Sequence, residues 1–188
     1  MRGSWPITAT APTATPDATR IPYPWPMKQR QNGIGGTDWV PSDERVFHEL
    51  EQDFLSYWDW SGQSGPTVFP FVPDQQQIVL LADAHFQARL SQYLDQVRSS
   101  NQVTAYLGAD QAHPVLPLQR VQGCTQDGLQ CLCLYTFNAT TKTVYNAKTG
   151  QVLSQTANIN IVFEVTQSYN RGLQRWQLTD LLFQEFAP

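Results

Sequence analysis

The segments Asn158-Ile-Asn-Ile-Val-Phe-Glu-Val165 and Arg175-Trp-Gln-Leu-Thr-Asp-Leu-Leu182 alternate apolar with polar residues near the end of the chain. Alternation with a period of two is typical of strands that bury one face. Asn170-Arg171-Gly172 lies between the segments and supplies turn-forming residues. The two segments are therefore predicted to form an antiparallel hairpin.

Similar alternating segments, rich in β-branched and aromatic residues and separated by turn residues, extend from this hairpin back to about residue 102. Asp127-Gly128 is a strong hairpin turn and Lys148-Thr149-Gly150 a fair one, so the last four strands are predicted to form an antiparallel meander. Strands are predicted near residues 103–107, 115–122, 129–138, 142–146, 151–168 and 173–185.

Two amphipathic helices are predicted before the strands. Apolar residues at Phe47, Leu50, Phe54 and Trp58 follow helical spacing and predict a helix over about residues 43–59. A second helix is predicted from the N-cap Asp74 to about residues 99–101, with His85 on its apolar stripe. The predicted fold class is α+β, with two N-terminal amphipathic helices packed on one face of a long, curved antiparallel sheet.

The chain divides into a tail over residues 1–36 and a single domain over residues 37–188. Thr, Ala and Pro dominate residues 1–19, a composition that buries too little apolar surface to order itself. Alternating prolines then enclose Tyr23 and Trp25, which favours an extended strap. We expect these two aromatics to make a partner contact, either on the domain's own surface or on a neighbouring subunit; a solvated linker is the alternative.

Composition excludes some classes of function. The 188 residues carry a net charge of -4 without a basic cluster, which excludes a general nucleic-acid binder. No segment has the roughly 20 apolar residues of a membrane-spanning helix, and no intact signal peptide is present. The Thr/Pro tail resembles spacers between a membrane or lipid anchor and an exported bacterial domain, which predicts an extracytoplasmic, secreted or tethered protein whose upstream anchor has been removed. A Met-Arg-Gly-Ser start is also common in expression vectors.

The element order resembles the nuclear transport factor 2-like superfamily. The resemblance rests on the two amphipathic helices and on a last strand with Gly172, Trp176 and Leu178. It implies a cystatin-like cone, in which the sheet curls around the helices and leaves a pocket. The superfamily includes isomerases, dehydratases, cyclases, protein-binding adaptors and extracytoplasmic domains, so the fold alone does not set the function.

A cone of this kind would place aromatic residues around its interior. The predicted ligand-binding residues are Phe54, Trp58, His85, Tyr135 and Trp176. These rings either line a pocket for a small hydrophobic ligand or fill the core solidly.

Catalytic signals are weak. His85 is a candidate general base, and Asp53 and Asp59 are candidate acids at the pocket rim. A histidine on an apolar stripe is more often an ordinary core residue with one hydrogen bond. The common catalytic, phosphate-binding and metal-binding motifs do not occur in the sequence, so neither a cofactor nor a metal is expected.

Three cysteines lie close together in the sequence. A two-residue turn at Asp127-Gly128 places Cys124 opposite Cys131, where a disulfide is available. That pair would occupy a hydrogen-bonded site, and a three-residue loop would shift the register to Gly123. Pairing with Cys133, three reduced core cysteines and a metal site are the alternatives.

The sequence therefore favours a non-catalytic extracytoplasmic interaction or scaffold domain of a cell-surface assembly, with a protein partner or a second copy. A small-ligand binding module and a cofactor-free isomerase, dehydratase or cyclase are the alternatives.

Overall fold

The computed structural model describes residues 20–108 and 121–186. Seven strands lie within these ranges: β1 (Met27–Gln31), β2 (Thr37–Pro41), β3 (Gln102–Leu107), β4 (Val121–Cys124), β5 (Gln130–Asn146), β6 (Val152–Asn170) and β7 (Arg175–Phe186). Three α-helices accompany them: α1 (Glu44–Trp60), α2 (Ile78–Leu81) and α3 (Gln87–Ser100), with a 3-10 turn at Gln75–Gln77 before α2. The chain is thus α+β with a large antiparallel sheet. Most of the strand predicted over 115–122, and residues 1–19 of the tail, lie outside the described residues.

The strands form one sheet in the order β1-β2-β4-β5-β6-β7, and β3 pairs with β5. Every strand pairing is antiparallel, and β5, β6 and β7 form the predicted meander. The sequence pattern predicts two strands over 129–138 and 142–146, whereas β5 runs through both. The pairing of β5 with β6 shifts register between Phe137 and Lys142, the stretch that separates the two predicted strands. A bulge of this kind lets one strand continue past residues that do not fit the ladder.

Helix α1 agrees closely with its prediction. The Asp43 carboxylate accepts the backbone N–H of Arg45 and caps the first turn. Phe47, Leu50, Phe54 and Trp58 are all buried. Their side chains pack among the inward-facing residues of β5 and β6, such as Tyr135 and Phe163, so the helix covers one face of the sheet.

The single second helix predicted from Asp74 is wrong, because the chain breaks between α2 and α3. Ala82 is extended and forms a parallel bridge with Leu178 of β7, and Asp83 N donates to Leu178 O over 3.1 Å. The Asp83 carboxylate then accepts Phe86 N at 2.8 Å. Aspartate competes with helical hydrogen bonds and favours a cap, so the chain binds the sheet edge at this point and restarts as α3.

The sequence pattern assigns residues 20–36 to the tail, but residues 20–31 pack with the domain. β1 forms a hairpin with β2, and Trp25 is buried in the main core. Pairing of Met27 with Pro41 ties this hairpin to the residues just before α1. The sequence Met27–Gln31 shows no alternation of apolar and polar residues, so the strand could not be predicted from it. Polar residues are tolerated at nearly every position because this edge strand buries little of its surface.

Candidate functional site: the edge of β7 and the neighbouring cleft

The predicted ligand-binding aromatics lie in a filled core. Phe54 stacks on Tyr135 with ring centroids 3.8 Å apart, and Trp58 stacks on Phe137 at 4.7 Å. Trp176 is fully buried. None of the predicted set lines the two clefts described below. Of the two alternatives for these rings, the structure shows the filled one, since their faces are covered by other rings.

A buried polar network crosses this core. The hydroxyl of Tyr135 donates to the Gln167 side-chain oxygen at 2.7 Å, and Gln167 Nε2 donates to Leu50 O at 3.0 Å. Burial raises the pKa of Tyr135 well above its ordinary value, so this hydroxyl stays protonated. The network joins α1 to the centre of the sheet and has no route to solvent through either side chain, since both are fully buried.

Asp53, a candidate catalytic acid, is instead the centre of a buried ion-pair cluster. Its carboxylate accepts hydrogen bonds from Arg20 at 2.6 and 2.7 Å, from Arg175 at 2.9 Å and from Trp176 N at 2.8 Å. The side chain is 1% exposed. Four donated hydrogen bonds hold this carboxylate in place, which suits an anchor joining the strap, α1 and β7.

The other catalytic candidates lie apart from the core. His85 is exposed in the turn between α2 and α3 rather than on a buried helical stripe, and Asp59 is exposed on α1. Neither lines a cleft described below. The geometry expected of a base and an acid facing one pocket is therefore absent from these residues.

The strap residues Tyr23 and Trp25 dock on the chain's own core. Trp25 packs against Tyr169 and Trp176 with centroids 4.8 and 5.4 Å away. Tyr23 donates its hydroxyl hydrogen to Asp127 O, and the Arg171 guanidinium lies 4.4 Å from its ring centroid. Of the two docking surfaces expected for the strap, the structure shows the one on the same chain.

The Cys124–Cys131 disulfide is confirmed. Thr125 N donates to Gln130 O at 2.8 Å, so residues 125 and 130 form the hydrogen-bonded pair. The cysteines therefore occupy the adjacent non-hydrogen-bonded position, where Cα atoms lie closer, here 4.0 Å apart. This register removes the objection raised from the sequence. Cys133 is free and buried, and burial raises its pKa to about 12.

A cleft of about 410 Å³ opens between α3, β3 and the end of β7. Tyr57, Tyr93 and Tyr106 form its aromatic walls, and Gln63 and Gln96 contribute amides. Burial raises the pKa of Tyr93 and of Tyr106, so both hydroxyls remain protonated. The sequence pattern does not point to these amides, because glutamine contributes nothing to the hydrophobic periodicity.

A larger groove of about 870 Å³ lies beside the disulfide. It runs between the β1–β2 turn and the β4–β5 turn, and Asn32, Asp38, Thr125 and Leu132 are among its lining residues. Its walls are loop and edge residues with mixed polarity. It lacks the aromatic enclosure of the smaller cleft.

The outer edge of β7 changes character along the strand. Near its start, Trp176 N donates to Asp53 and Leu178 O accepts from Asp83 N. After the bulge opposite Thr166 and Gln167, Leu181 O accepts from Arg89 at 3.1 Å and Leu181 N donates to the Asp180 carboxylate at 2.8 Å. We call residues 175–181 the protected half of β7.

Residues 182–186 form the open half of β7. Outward backbone groups alternate along a strand, so after Leu181 they belong to Phe183 and Glu185, and no hydrogen bond to either group joins this edge to another described residue. Leu182, Phe183 and Phe186 are 56%, 39% and 48% exposed. An unpaired edge with exposed apolar side chains is a template for another strand.

Comparison with known proteins adds no assignment: no protein-family model, curated protein or solved structure matches the chain. Within residues 20–108 and 121–186, no group of three or more His, Cys, Asp or Glu side chains is placed to hold a metal ion. No helix in these ranges has the length and apolar character needed to cross a membrane.

Proposed function

We propose that the chain is a non-catalytic interaction domain of an extracytoplasmic assembly and that it binds its protein partner through the open half of β7. The observation that carries the proposal is the exposed edge of residues 182–186, where no other described residue pairs with the outward backbone groups of Phe183 and Glu185. Leu182 and Phe186 lie on the sheet face away from the helices, because they alternate with Phe183, whose ring packs 4.9 Å from buried Phe163. Strand addition to such an edge is a common mode of recognition.

The non-catalytic part of the proposal rests on where the candidate groups lie. Asp53 has its carboxylate occupied by arginines and a backbone N–H. His85 and Asp59 are exposed on separate elements. Catalysis by an acid and a base requires both within hydrogen-bonding reach of one substrate.

The extracytoplasmic part of the proposal is supported by the Cys124–Cys131 disulfide, because such bonds persist in oxidising compartments. The Thr/Pro composition of residues 1–19 is consistent with a spacer. We also propose that the domain is a cystatin-like cone of the nuclear transport factor 2-like superfamily. Helix α1, packed on one face of the antiparallel sheet, and the closing β6–β7 hairpin support this assignment.

Site-specific photocrosslinking of the full chain in the cells that produce it tests the interaction function. A photoreactive residue replaces Leu182 in one variant and Val68 in a control, since Val68 is exposed in a loop before α2. We expect a protein adduct from position 182 and none of comparable yield from position 68. Absence of an adduct from position 182, or equal adducts from both positions, would contradict the proposal.

A small-molecule binding function is the second candidate, favoured by the cleft between Tyr57, Tyr93 and Tyr106. Its volume of about 410 Å³ falls within the usual range for ligand sites. No charged side chain is found among the described lining residues, so a neutral aromatic compound is the matching ligand class.

Thermal denaturation with a set of neutral aromatic fragments tests this candidate. A fragment that binds raises the melting temperature. Thr104→Trp places a large side chain at the cleft wall and should abolish that rise, while Thr37→Trp at an exposed position of β2 should retain it. Melting temperatures that never rise, or that rise equally in both variants, would exclude the cleft as the site.

A further inference from the structure

We infer that the partner of the open half of β7 is a second copy of this chain, which pairs its own residues 182–186 in an antiparallel, two-fold arrangement. This inference rests on the proposed function, because it names the occupant of that same edge. Its first support is the abrupt change along β7. Arg89 and the Asp180 carboxylate occupy the backbone groups of Leu181, so pairing with another strand can begin only beyond that residue.

The directions of the backbone groups select one register. In a two-fold antiparallel pair, the residues that exchange hydrogen bonds must both face outward. Phe183 and Glu185 satisfy this condition. Pairing Phe183 of each copy with Glu185 of the other uses all four outward N–H groups and all four outward C=O groups. A shift by two residues in one direction places Glu185 opposite Leu181 of the other copy, whose backbone N–H and C=O already have hydrogen-bond partners. A shift in the other direction places the Glu185 residues of the two copies opposite each other.

The side chains fit the same register. It places Leu182 of each copy opposite Phe186 of the other, so two apolar pairs form on the outer face of the joined sheet. The two Gln184 side chains meet at the two-fold axis. Glu185, the charged residue within 182–186, lies opposite an aromatic ring rather than another carboxylate, and Lys142 already neutralises it at 2.8 Å. Like charges opposite each other would destabilise the pair.

Replacing the exposed apolar residues Leu182 and Phe186 with like or unlike charges tests the inference. Leu182→Lys combined with Phe186→Lys places lysines opposite each other across the axis. Leu182→Lys combined with Phe186→Glu places unlike charges opposite each other in the same positions. Within one chain the two positions are four residues, roughly 13 Å, apart along the strand, so the exchange acts between copies.

Analytical ultracentrifugation of the full chain measures the outcome. We expect a wild-type dimer, a dissociation constant at least tenfold weaker with two lysines, and recovery of the dimer with the lysine and glutamate pair. Circular dichroism of each variant checks that the fold is retained. A wild-type monomer at all accessible concentrations, or equal weakening by both double variants, would overturn the inference.

Disulfide trapping adds a measurement that does not depend on charge. In the proposed register Gln184→Cys brings two thiols together at the axis, whereas Gln52→Cys lies on an exposed position of α1. Under mild oxidation the first variant should give a covalent dimer and the second should not. A Leu182 photoadduct with a different protein, without the covalent dimer, would keep the interaction function and overturn self-pairing. Absence of both products would overturn both.

Discussion

The two ends of the sheet differ in how the edge of β7 is covered. At the closed end, Cys131 of β5, Gln167 of β6 and Leu178 of β7 lie in register, and the strap, the Asp53 cluster and the α2–α3 break cover them. At the open end, Phe137, Ile161 and Glu185 lie in register beside the exposed edge of residues 182–186. The contacts at the closed end hold the fold together, whereas the open end leaves the apolar side chains of Leu182, Phe183 and Phe186 exposed.

The largest effect on stability should come from removing the anchor of the closed end. Asp53→Ala leaves Arg20 and Arg175 without their shared carboxylate, and breaking a buried ion pair in this way costs about 3–5 kcal/mol. Urea denaturation measures the loss. Asp59→Ala, on an exposed position of the same helix, is the matched control and should change stability by less than about 0.5 kcal/mol. Equal losses would show that the cluster is not an anchor.

Reduction of the disulfide is the next largest change at the closed end. Opening the Cys124–Cys131 bond releases a short loop in the unfolded chain and should lower the free energy of unfolding by about 2 kcal/mol. The melting temperature with and without dithiothreitol checks this. The double variant Cys124→Ser with Cys131→Ser should no longer respond to the reductant; a response as large as that of the wild type would implicate Cys133 instead.

Gly128→Ala should loosen the strap by about 1–3 kcal/mol. A Cβ at this position would lie 2.8 Å from both Trp25 Nε1 and Met27 Sδ, and the backbone φ of +71° disfavours any side chain. Limited proteolysis after Arg20 and denaturant unfolding report the change. Gly33→Ala, where an added methyl would have no atom within 4 Å, should leave both unchanged. Loss of stability without faster cleavage would place the effect away from the strap.

The smallest effect should come from the ion pair at the open end. Burial raises the pKa of Glu185, but hydrogen bonds from Lys142 and Tyr106 outweigh it and hold the pKa below its ordinary value. The pair therefore stabilises the fold above the ordinary pKa of glutamate and loses this contribution as the pH falls through the lowered value. Lys142→Ala should cost less than about 1 kcal/mol at neutral pH and nothing in acid. A pH-independent cost, or a similar cost for exposed Lys148→Ala, would contradict this.

Predictions from the sequence were correct where the local hydrophobic pattern and the tertiary contacts favour the same element. The alternation in β6 and β7 and the helical spacing of α1 predicted elements close to those observed. The turn signal at Asp127-Gly128 also predicted that Cys124 lies opposite Cys131, although the loop has four residues, 126–129, rather than two. The prediction of one second helix was wrong at Ala82 and Asp83, because the helical pattern continues there while the edge of β7 supplies competing hydrogen bonds.

The candidate site at the open half of β7 was harder to predict from the sequence. It depends on which backbone groups and side chains of the folded chain have no neighbouring described residue. The sequence pattern predicts Asp53 as a pocket acid, but its carboxylate pairs with Arg20 and Arg175, which are distant in the chain. In the sequence, Leu182 and Phe186 look like any apolar residues of a strand. They are exposed because the described contacts with the outer edge of β7 end at Leu181, and no local sequence pattern indicates where such contacts end.

The amino-acid sequence by itself determined the α+β class, the closing hairpin and helix α1, and it made a Cys124–Cys131 disulfide one of several possibilities, because these follow from local periodicity and turn chemistry. Tertiary structure decided that Phe54 and Trp58 stack on other rings of the core, that the Pro-aromatic strap packs on the core, and that other described residues protect β7 over one half only. Those properties depend on contacts between residues far apart in the chain, and a strand edge becomes a site only when the rest of the fold leaves it uncovered.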